Sequence, residues 1–138
     1  MNISSGLRTK YDQLFDGCES DLERKFVNGL YRTIRDNPSE LTDRCLFFMK
    51  LKQQFKPFED RRIRLDFAAD WRGKLMAIEC EGGTFSNKQA SIGYRSIGGY
   101  HNKVDKYNLL AKNGWLVFRI QSNPKQLNNP WQLLPPLA

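Results

Sequence analysis

The sequence predicts an α/β fold in which a central mixed β-sheet is flanked by α-helices. Residues 61–67 and 75–81 alternate apolar and polar side chains, as half-buried strands do. A helical pattern over residues 100–113 is followed at once by an apolar strand at residues 115–120. A strand, a helix and a second strand in that order favour a crossover connection, so we expect a sheet buried on both faces.

The length and charge of the chain limit its organisation and its partners. At 138 residues we expect one domain with a core at about 20–121, a loosely attached N-terminal arm at 1–19 and a C-terminal tail at 122–138 that wraps the surface. The formal net charge of +7 and the pI near 9.5 indicate a polyanionic partner.

Cysteine usage and hydropathy indicate an intracellular, cytoplasmic protein. The three cysteines include no C-x-x-C pair and no spacing that matches the single His101, so we expect neither a disulfide framework nor structural zinc. No apolar run approaches the roughly 20 residues of a membrane helix, so we expect no membrane partner.

The first firm element is a helix that begins after Ser20. S-D-L-E has the form of a capping box, in which Ser20 accepts from an early helical N–H while Glu23 reaches back. Asn37-Pro38 supplies the stop. Residues 45–51 are apolar without strict alternation and are compatible with a short helix or a buried strand.

Two strands and a second helix follow. In the strand at 61–67, the side chains of Arg62, Arg64 and Asp66 share one face, and a turn at residues 70–73 leads to the strand at 75–81, which pairs with it as a hairpin. Residues 82–99 form a long polar loop. The helix at 100–113 shows one apolar stripe, which consists of Tyr100, Val104, Tyr107 and Ala111.

Three acids on the two predicted strands suggest a metal site. Glu79 and Glu81 lie two apart and project from one face, roughly 7 Å apart along the strand. Asp66 comes from the neighbouring strand. Converging oxygen ligands are typical of a hard divalent ion such as Mg²⁺, which would activate a water against a phosphate. The alternative interpretation of E-x-E is an exposed polar strand face.

Four segments resemble the small phage and mobile-element nucleases of the PD-(D/E)xK superfamily. They are R-L-D-F-A (64–68), K-L-M-A-I-E-C-E-G-G (74–83), G-Y-H-N-K-V-D-K-Y-N (99–108) and N-G-W-L-V-F-R (113–119). The resemblance covers residues 60–120. It implies a restriction-endonuclease-like core, phosphodiester hydrolysis with Mg²⁺, for which Mn²⁺ substitutes, and the metal ligands Asp66 and Glu79. It also suggests Glu23 as a supporting acid, unless Glu23 is only a capping partner.

The chain departs from the family at the motif lysine. Two residues after Glu79 the family has lysine, whereas this chain has Glu81, which would then be an additional metal ligand. The missing cation is expected from Lys106 or Lys103 on the second helix, with Lys106 favoured because it lies in the K-Y-N segment. The alternative is that both lysines are solvated helix positions.

Basic and aromatic residues around these segments are candidates for DNA contact. Arg62 and Arg64 share the strand face of Asp66, and further candidates lie in the long loop and at the start of the helix, namely Lys88, Tyr94, Arg95 and His101. An ordinary basic surface is the alternative for each of them.

The sequence therefore predicts a metal-dependent DNA endonuclease of bacterial, phage or mobile-element origin. It would be either site-specific, as homing and restriction enzymes are, or structure-selective, as junction resolvases are. Since one subunit carries one active site and a duplex has two strands, we expect a homodimer or a higher oligomer. A non-catalytic nucleic-acid-binding module with the same fold is the alternative, and an RNA-processing or ribosome-associated protein ranks last.

Overall fold

The computed structural model describes residues 3–36, 42–81 and 93–138, with the backbone alone for 93–102. Helices and strands cover most of these ranges. In chain order they are α1 (Ile3–Gly17), α2 (Asp21–Arg35), α3 (Asp43–Lys50), β1 (Lys52–Phe55), β2 (Leu65–Trp71), β3 (Lys74–Glu81), α4 (Gly93–Lys112), β4 (Trp115–Gln121), α5 (Pro124–Asn128) and a 3-10 helix (Pro130–Leu133).

The four strands form one mixed sheet in the order β1-β2-β3-β4. β1, β2 and β3 pair antiparallel, and β3 pairs parallel with β4 from Leu75↔Trp115 to Glu81↔Gln121. The predicted α/β class, the β2–β3 hairpin and the crossover through a helix are confirmed. The crossover returns the chain beside β3, so that α4 lies next to the strand that carries Glu79 and Glu81.

Each face of the sheet has its own core. Met76 and Ile78 of β3 pack in the larger cluster with apolar side chains of α1, α2 and α3. Ala77 points the other way and packs with Leu110 of α4. This alternation matches the predicted faces of β3. Among the helices in the described ranges, none has the length and hydropathy of a membrane span.

Helix α2 begins with the predicted capping box. The Ser20 hydroxyl accepts a hydrogen bond from the Glu23 amide at 3.1 Å and donates one to Glu23 Oε2 at 2.9 Å. The apolar segment whose conformation the sequence left open is helical, because Thr42 caps it by accepting from the Cys45 amide at 3.2 Å.

Both chain ends are more ordered than the sequence predicted. The prediction of a loosely attached arm is wrong for residues 3–17, which form α1 and bury Leu7 and Leu14 in the larger core. The prediction of a surface tail at 122–138 is wrong in part, since Trp131 is buried and its indole N–H donates to the Leu30 carbonyl at 3.1 Å. Periodicity did not reveal these segments because their buried residues are few, two in α1 and two in the 3-10 helix.

The predicted boundaries of β2 are also wrong. The strand runs over Leu65–Trp71, while residues 61–64 precede it, so Arg62 and Arg64 lie outside the sheet. The turn is shorter than predicted and consists of Arg72 and Gly73, with φ of 51° and 84°.

α4 begins at Gly93, so the loop predicted at 82–99 is wrong for residues 93–99, and the apolar stripe of α4 also differs from the prediction. In the described part of α4, Leu110 is fully buried and Tyr107 half-buried, whereas Val104 is 38% exposed. β4 is an edge strand, and its Leu116 is 43% exposed. Side chains of β4 nevertheless contact both cores, Phe118 and Ile120 the larger one and Trp115 and Val117 the smaller one, so the predicted cover on both faces of the sheet is confirmed.

Candidate active site

The Asp66 and Glu79 side chains meet between β2 and β3. Glu79 Oε2 accepts a hydrogen bond from the Asp66 backbone N–H at 3.2 Å. Asp66 Oδ2 accepts one from the Cys80 backbone N–H at 2.9 Å. Each carboxylate thus accepts a hydrogen bond from a backbone N–H of the other strand, as a backbone carbonyl oxygen would in a regular sheet. The predicted approach of these two acids from neighbouring strands is confirmed.

The sheet is irregular at this point. Regular β2–β3 pairing ends at Phe67↔Ile78, and β1 pairs with β2 on either side of Asp66 at Phe67 and Leu65. Gln54 of β1, between those two pairs, has a φ of 49°, which lies in the left-handed region. Strained backbone is concentrated at functional sites because the surrounding structure must maintain it.

Glu79 is a buried acid that, among the described side chains, pairs with Lys106. The residue is only 4% exposed, and its Oε1 forms an ion pair with the Lys106 ammonium. Lys106 also donates to the Arg64 carbonyl at 2.9 Å, which ties α4 to the chain just before β2. Burial raises the pKa of Glu79; Lys106 opposes this shift and the Asp66 carboxylate adds to it.

Glu23 places a third acid near this pair. It is 4% exposed, and Gln54 Nε2 donates to its Oε1 at 3.1 Å. Burial raises the pKa of Glu23, the hydrogen bond from Ser20 lowers it, and the charge of Asp66 raises it further. The two interpretations of Glu23 are therefore compatible, since the capping partner of α2 also faces the acids of the sheet.

Glu81 has a different set of partners. Its two oxygens accept hydrogen bonds from Arg119 Nε at 2.8 Å and Arg119 Nη2 at 2.6 Å, and its Oε1 also accepts from the Tyr107 hydroxyl. Burial would raise the pKa of Glu81, but these hydrogen bonds outweigh it and hold the pKa below the usual value. Glu81 is thus bound to β4 and α4, and the structure does not bring it into the Asp66–Glu79 pair.

Asp66, Glu79 and Glu23 give this region an excess of acidic over basic side chains. Burial raises the pKa of the Cys80 thiol, and the charges of Asp66, Glu23 and Glu79 raise it further, in that order. Among the described side chains, Lys106 forms an ion pair with one of these acids, Glu79. A buried group of carboxylates with one ammonium is the environment that a further cation stabilises.

The fit to a metal ion depends on the Asp66–Glu79 pair. Across residues 3–36, 42–81 and 93–138, no group of three or more His, Cys, Asp or Glu side chains is arranged to hold a metal. Mg²⁺, however, is commonly held by one or two carboxylates, with water and substrate phosphate as its other ligands. The donor set of Asp66 and Glu79 fits that chemistry, whereas the three-ligand set with Glu81 stays a prediction.

The remaining predicted site residues lie around this centre or outside the described side chains. Lys103 is exposed, while Lys106 reaches Glu79. Arg64 pairs with Glu19 at 3.0 Å, and Arg62 lines an open cavity of about 670 Å³ with Arg64. The backbone of Tyr94, Arg95 and His101 lies in α4, but their side chains and all of Lys88 are outside the described residues.

Sequence reasoning missed Gln54, Tyr107 and Arg119 as members of the site. Arg119 had a detectable signal, because it is a charged residue within the apolar run 115–120; the structure pairs it with Glu79 in the register of β3 and β4. Tyr107 was interpreted as part of an apolar stripe, and nothing in the sequence marks Gln54.

Searches for similar proteins give no match to this chain among protein-family models, curated proteins or solved structures.

Proposed function

We propose that this chain is a divalent-metal-dependent DNA endonuclease with a restriction-endonuclease-like core. The observation that carries the proposal is the Asp66–Glu79 pair at the point where β2 and β3 separate, with the Lys106 ammonium against Glu79. The net charge of +7 supports a polyanionic substrate.

Asp66 and Glu79 would hold the metal, which is Mg²⁺ with Mn²⁺ as a substitute. When bound, the ion supplies Lewis-acid activation of the phosphate and lowers the pKa of a water. The resemblance of the sequence to the PD-(D/E)xK nucleases supports the same two ligands. The backbone amides of Cys80 and Asp66 orient the two carboxylates, so the pair is held in place by the sheet.

Lys106 replaces the motif lysine in this proposal. It reaches Glu79 from α4 and forms an ion pair with it, which supports Lys106 as the source of the missing cation. There it balances the charge that develops on the phosphate and positions the attacking water. Gln54 and Ser20 hold Glu23 near the pair, where the charge of Asp66 raises the pKa of Glu23.

The test is a cleavage assay on supercoiled plasmid and on a four-way junction, with Mg²⁺ or Mn²⁺. Asp66→Asn and Glu79→Gln are expected to abolish cleavage while retaining the fold. Lys106→Ala is expected to lower the rate about 10²-fold or more, and the exposed Lys103→Ala is its matched control.

Three results would contradict the proposal or part of it. Cleavage that survives both acid substitutions would place the active site elsewhere. Binding of DNA without cleavage of any substrate would favour the non-catalytic module. Equal losses in the two lysine variants would remove the specific role of Lys106.

The plasmid and junction substrates also distinguish site-specific from structure-selective cleavage. Sedimentation of the protein with DNA tests the expected homodimer.

A further inference from the structure

A second candidate binding site lies in a cleft of about 520 Å³ between α1, α2 and α5. Among the described residues that line this α1–α2 cleft, four are cationic and none is acidic; the cations are Arg8, Lys25, Arg32 and Arg35. Cations that converge on one concave surface raise the local potential and attract polyanions.

Three of the four cations form a linear array on α2. Lys25, Arg32 and Arg35 are spaced by seven and three residues, which places them on one side of the helix. Glu23 and Phe26 are buried on the other side, against the sheet. The cleft therefore faces away from the Asp66–Glu79 pair, and a ligand there would not enter the candidate active site.

The acids that pair with these cations are exposed and outside the cleft. Lys25 pairs with Asp21 at 3.3 Å, Arg8 with Asp12 at 3.1 Å and Arg35 with Asp36 at 3.4 Å, and every side chain in these pairs is more than half exposed. Such pairs contribute little free energy, so a phosphate displaces them easily. Within the described part of the chain, Arg32 forms no ion pair.

The helices that form the cleft are closely packed. A Cβ on Gly29 would lie 2.4 Å from the Leu127 carbonyl, so α5 can pack this closely on α2 only because residue 29 is glycine. On the other side, the rings of Tyr11 and Tyr31 stack at 4.4 Å, which joins α1 to α2. The cations therefore stand on a preformed surface.

We propose that the α1–α2 cleft binds the phosphate backbone of a duplex DNA segment outside the active site. The array from Lys25 to Arg35 is about 15 Å long, which matches roughly four nucleotide steps of one DNA strand. This linear spread favours a polymer over a small phosphorylated molecule. The inference rests on the proposed function only for the choice of DNA as the polyanion.

The test measures binding of a labelled duplex by fluorescence anisotropy over a range of salt concentrations, without divalent metal. Arg32→Gln/Arg35→Gln removes two exposed cations from the cleft. We expect Kd to rise about tenfold or more, and the slope of log K against log salt to fall by about 2, since each lost phosphate contact removes about 0.9.

The matched control is Lys74→Gln/Lys112→Gln, which removes the same charge from exposed positions. Lys112 lies in the last turn of α4 as Arg35 lies in that of α2, so both variants change the charge at the end of a helix. Lys74 and Lys112 are next to the Leu75↔Trp115 end of the sheet, far from Glu81.

A loss confined to the cleft variant supports the inference. Equal losses in the two variants, or an unchanged salt slope in the cleft variant, overturn it. It is also overturned if inorganic triphosphate binds saturably and depends on Arg32 and Arg35 while DNA affinity does not. If the wild-type protein binds DNA but cleaves none, the proposed function falls while the binding comparison still decides the role of the cleft.

Discussion

Glu79 and Glu81 are two residues apart on the same face of β3, yet their electrostatic environments are opposite. Glu81 accepts two hydrogen bonds from Arg119 and a third from Tyr107, and its pKa is lowered. Glu79 lies between one lysine and a second carboxylate, and its pKa is raised. Both side chains are about 6% exposed to solvent.

The difference lies in the number of donors that each carboxylate receives. Glu81 is fully compensated, and a charged carboxylate there holds α4 and β4 together. Glu79 is under-compensated, so the folded protein without a further cation carries a cost at this position. Groups of this second kind are concentrated at functional sites, where the missing charge belongs to a ligand or substrate. E-x-E thus combines a compensated acid with an under-compensated one, and only the second is assigned to the metal in the proposed function.

The largest expected effect that would break this comparison is on cleavage. Glu79→Gln should lower the cleavage rate about 10³-fold or more, because it removes a metal ligand. Glu81→Gln should lower it less than about tenfold, since the amide keeps one acceptor for Arg119. The measurement is the initial rate of plasmid nicking at saturating Mg²⁺. Equal losses would return Glu81 to the ligand set that the sequence predicts.

The second effect is on stability, and here we expect a larger loss at the Glu81 site than at the Glu79 site. Arg119→Leu should lower the free energy of unfolding by about 2–3 kcal/mol, because it leaves Glu81 buried without its cation. Lys106→Leu should cost less than about 1 kcal/mol, since Glu79 can accept a proton instead. Urea unfolding at neutral pH gives both values. A larger loss from Lys106→Leu would mean that Glu79 stays charged in the folded protein.

The pH dependence of stability sharpens the same contrast. Because the pKa of Glu79 is raised in the folded state, protonated Glu79 contributes to the free energy of unfolding below its ordinary pKa of 4.5. This contribution is lost as pH rises through the folded-state pKa. Glu79→Gln should therefore become more stable than the wild type by about 1–2 kcal/mol toward pH 8, in buffer without divalent metal.

Glu81 should show the reverse trend. Because its pKa is lowered in the folded state, ionised Glu81 contributes to the free energy of unfolding above pH 4.5, and this contribution is lost as pH falls through the folded-state pKa. Glu81→Gln should therefore be less stable than the wild type mainly at neutral pH. Thermal unfolding of both variants between pH 4 and 8 provides the measurement. Parallel curves for the two variants would refute the opposite pKa shifts.

The smallest effect concerns the Tyr107 hydroxyl. Tyr107→Phe removes one of three hydrogen bonds to Glu81 and should cost about 1 kcal/mol or less, because both Arg119 donors remain. Urea unfolding next to Arg119→Leu gives the ratio of the two contributions. A loss as large as that of Arg119→Leu would show that the phenol, not the guanidinium, compensates Glu81.

Local patterns predicted much of this arrangement and failed where contacts are long-range. The capping box at Ser20, the faces of β3, the hairpin and the crossover are encoded within a few residues, and each is confirmed. The approach of Asp66 to Glu79 was also predictable, since a hairpin brings neighbouring strands together. By contrast, the helix at residues 3–17 and the burial of Trp131 depend on surfaces formed by distant segments.

The amino-acid pattern was sufficient to place acids on two adjacent strands and to propose lysines on the following helix. Periodicity specifies which side of an element a residue occupies, and that is a property of neighbours in the chain. It carries no information on which partner each charge meets. Tertiary packing paired Arg119 with Glu81 and Lys106 with Glu79, because the crossover set α4 and β4 beside β3. Two identical side chains on one strand therefore acquired opposite pKa shifts.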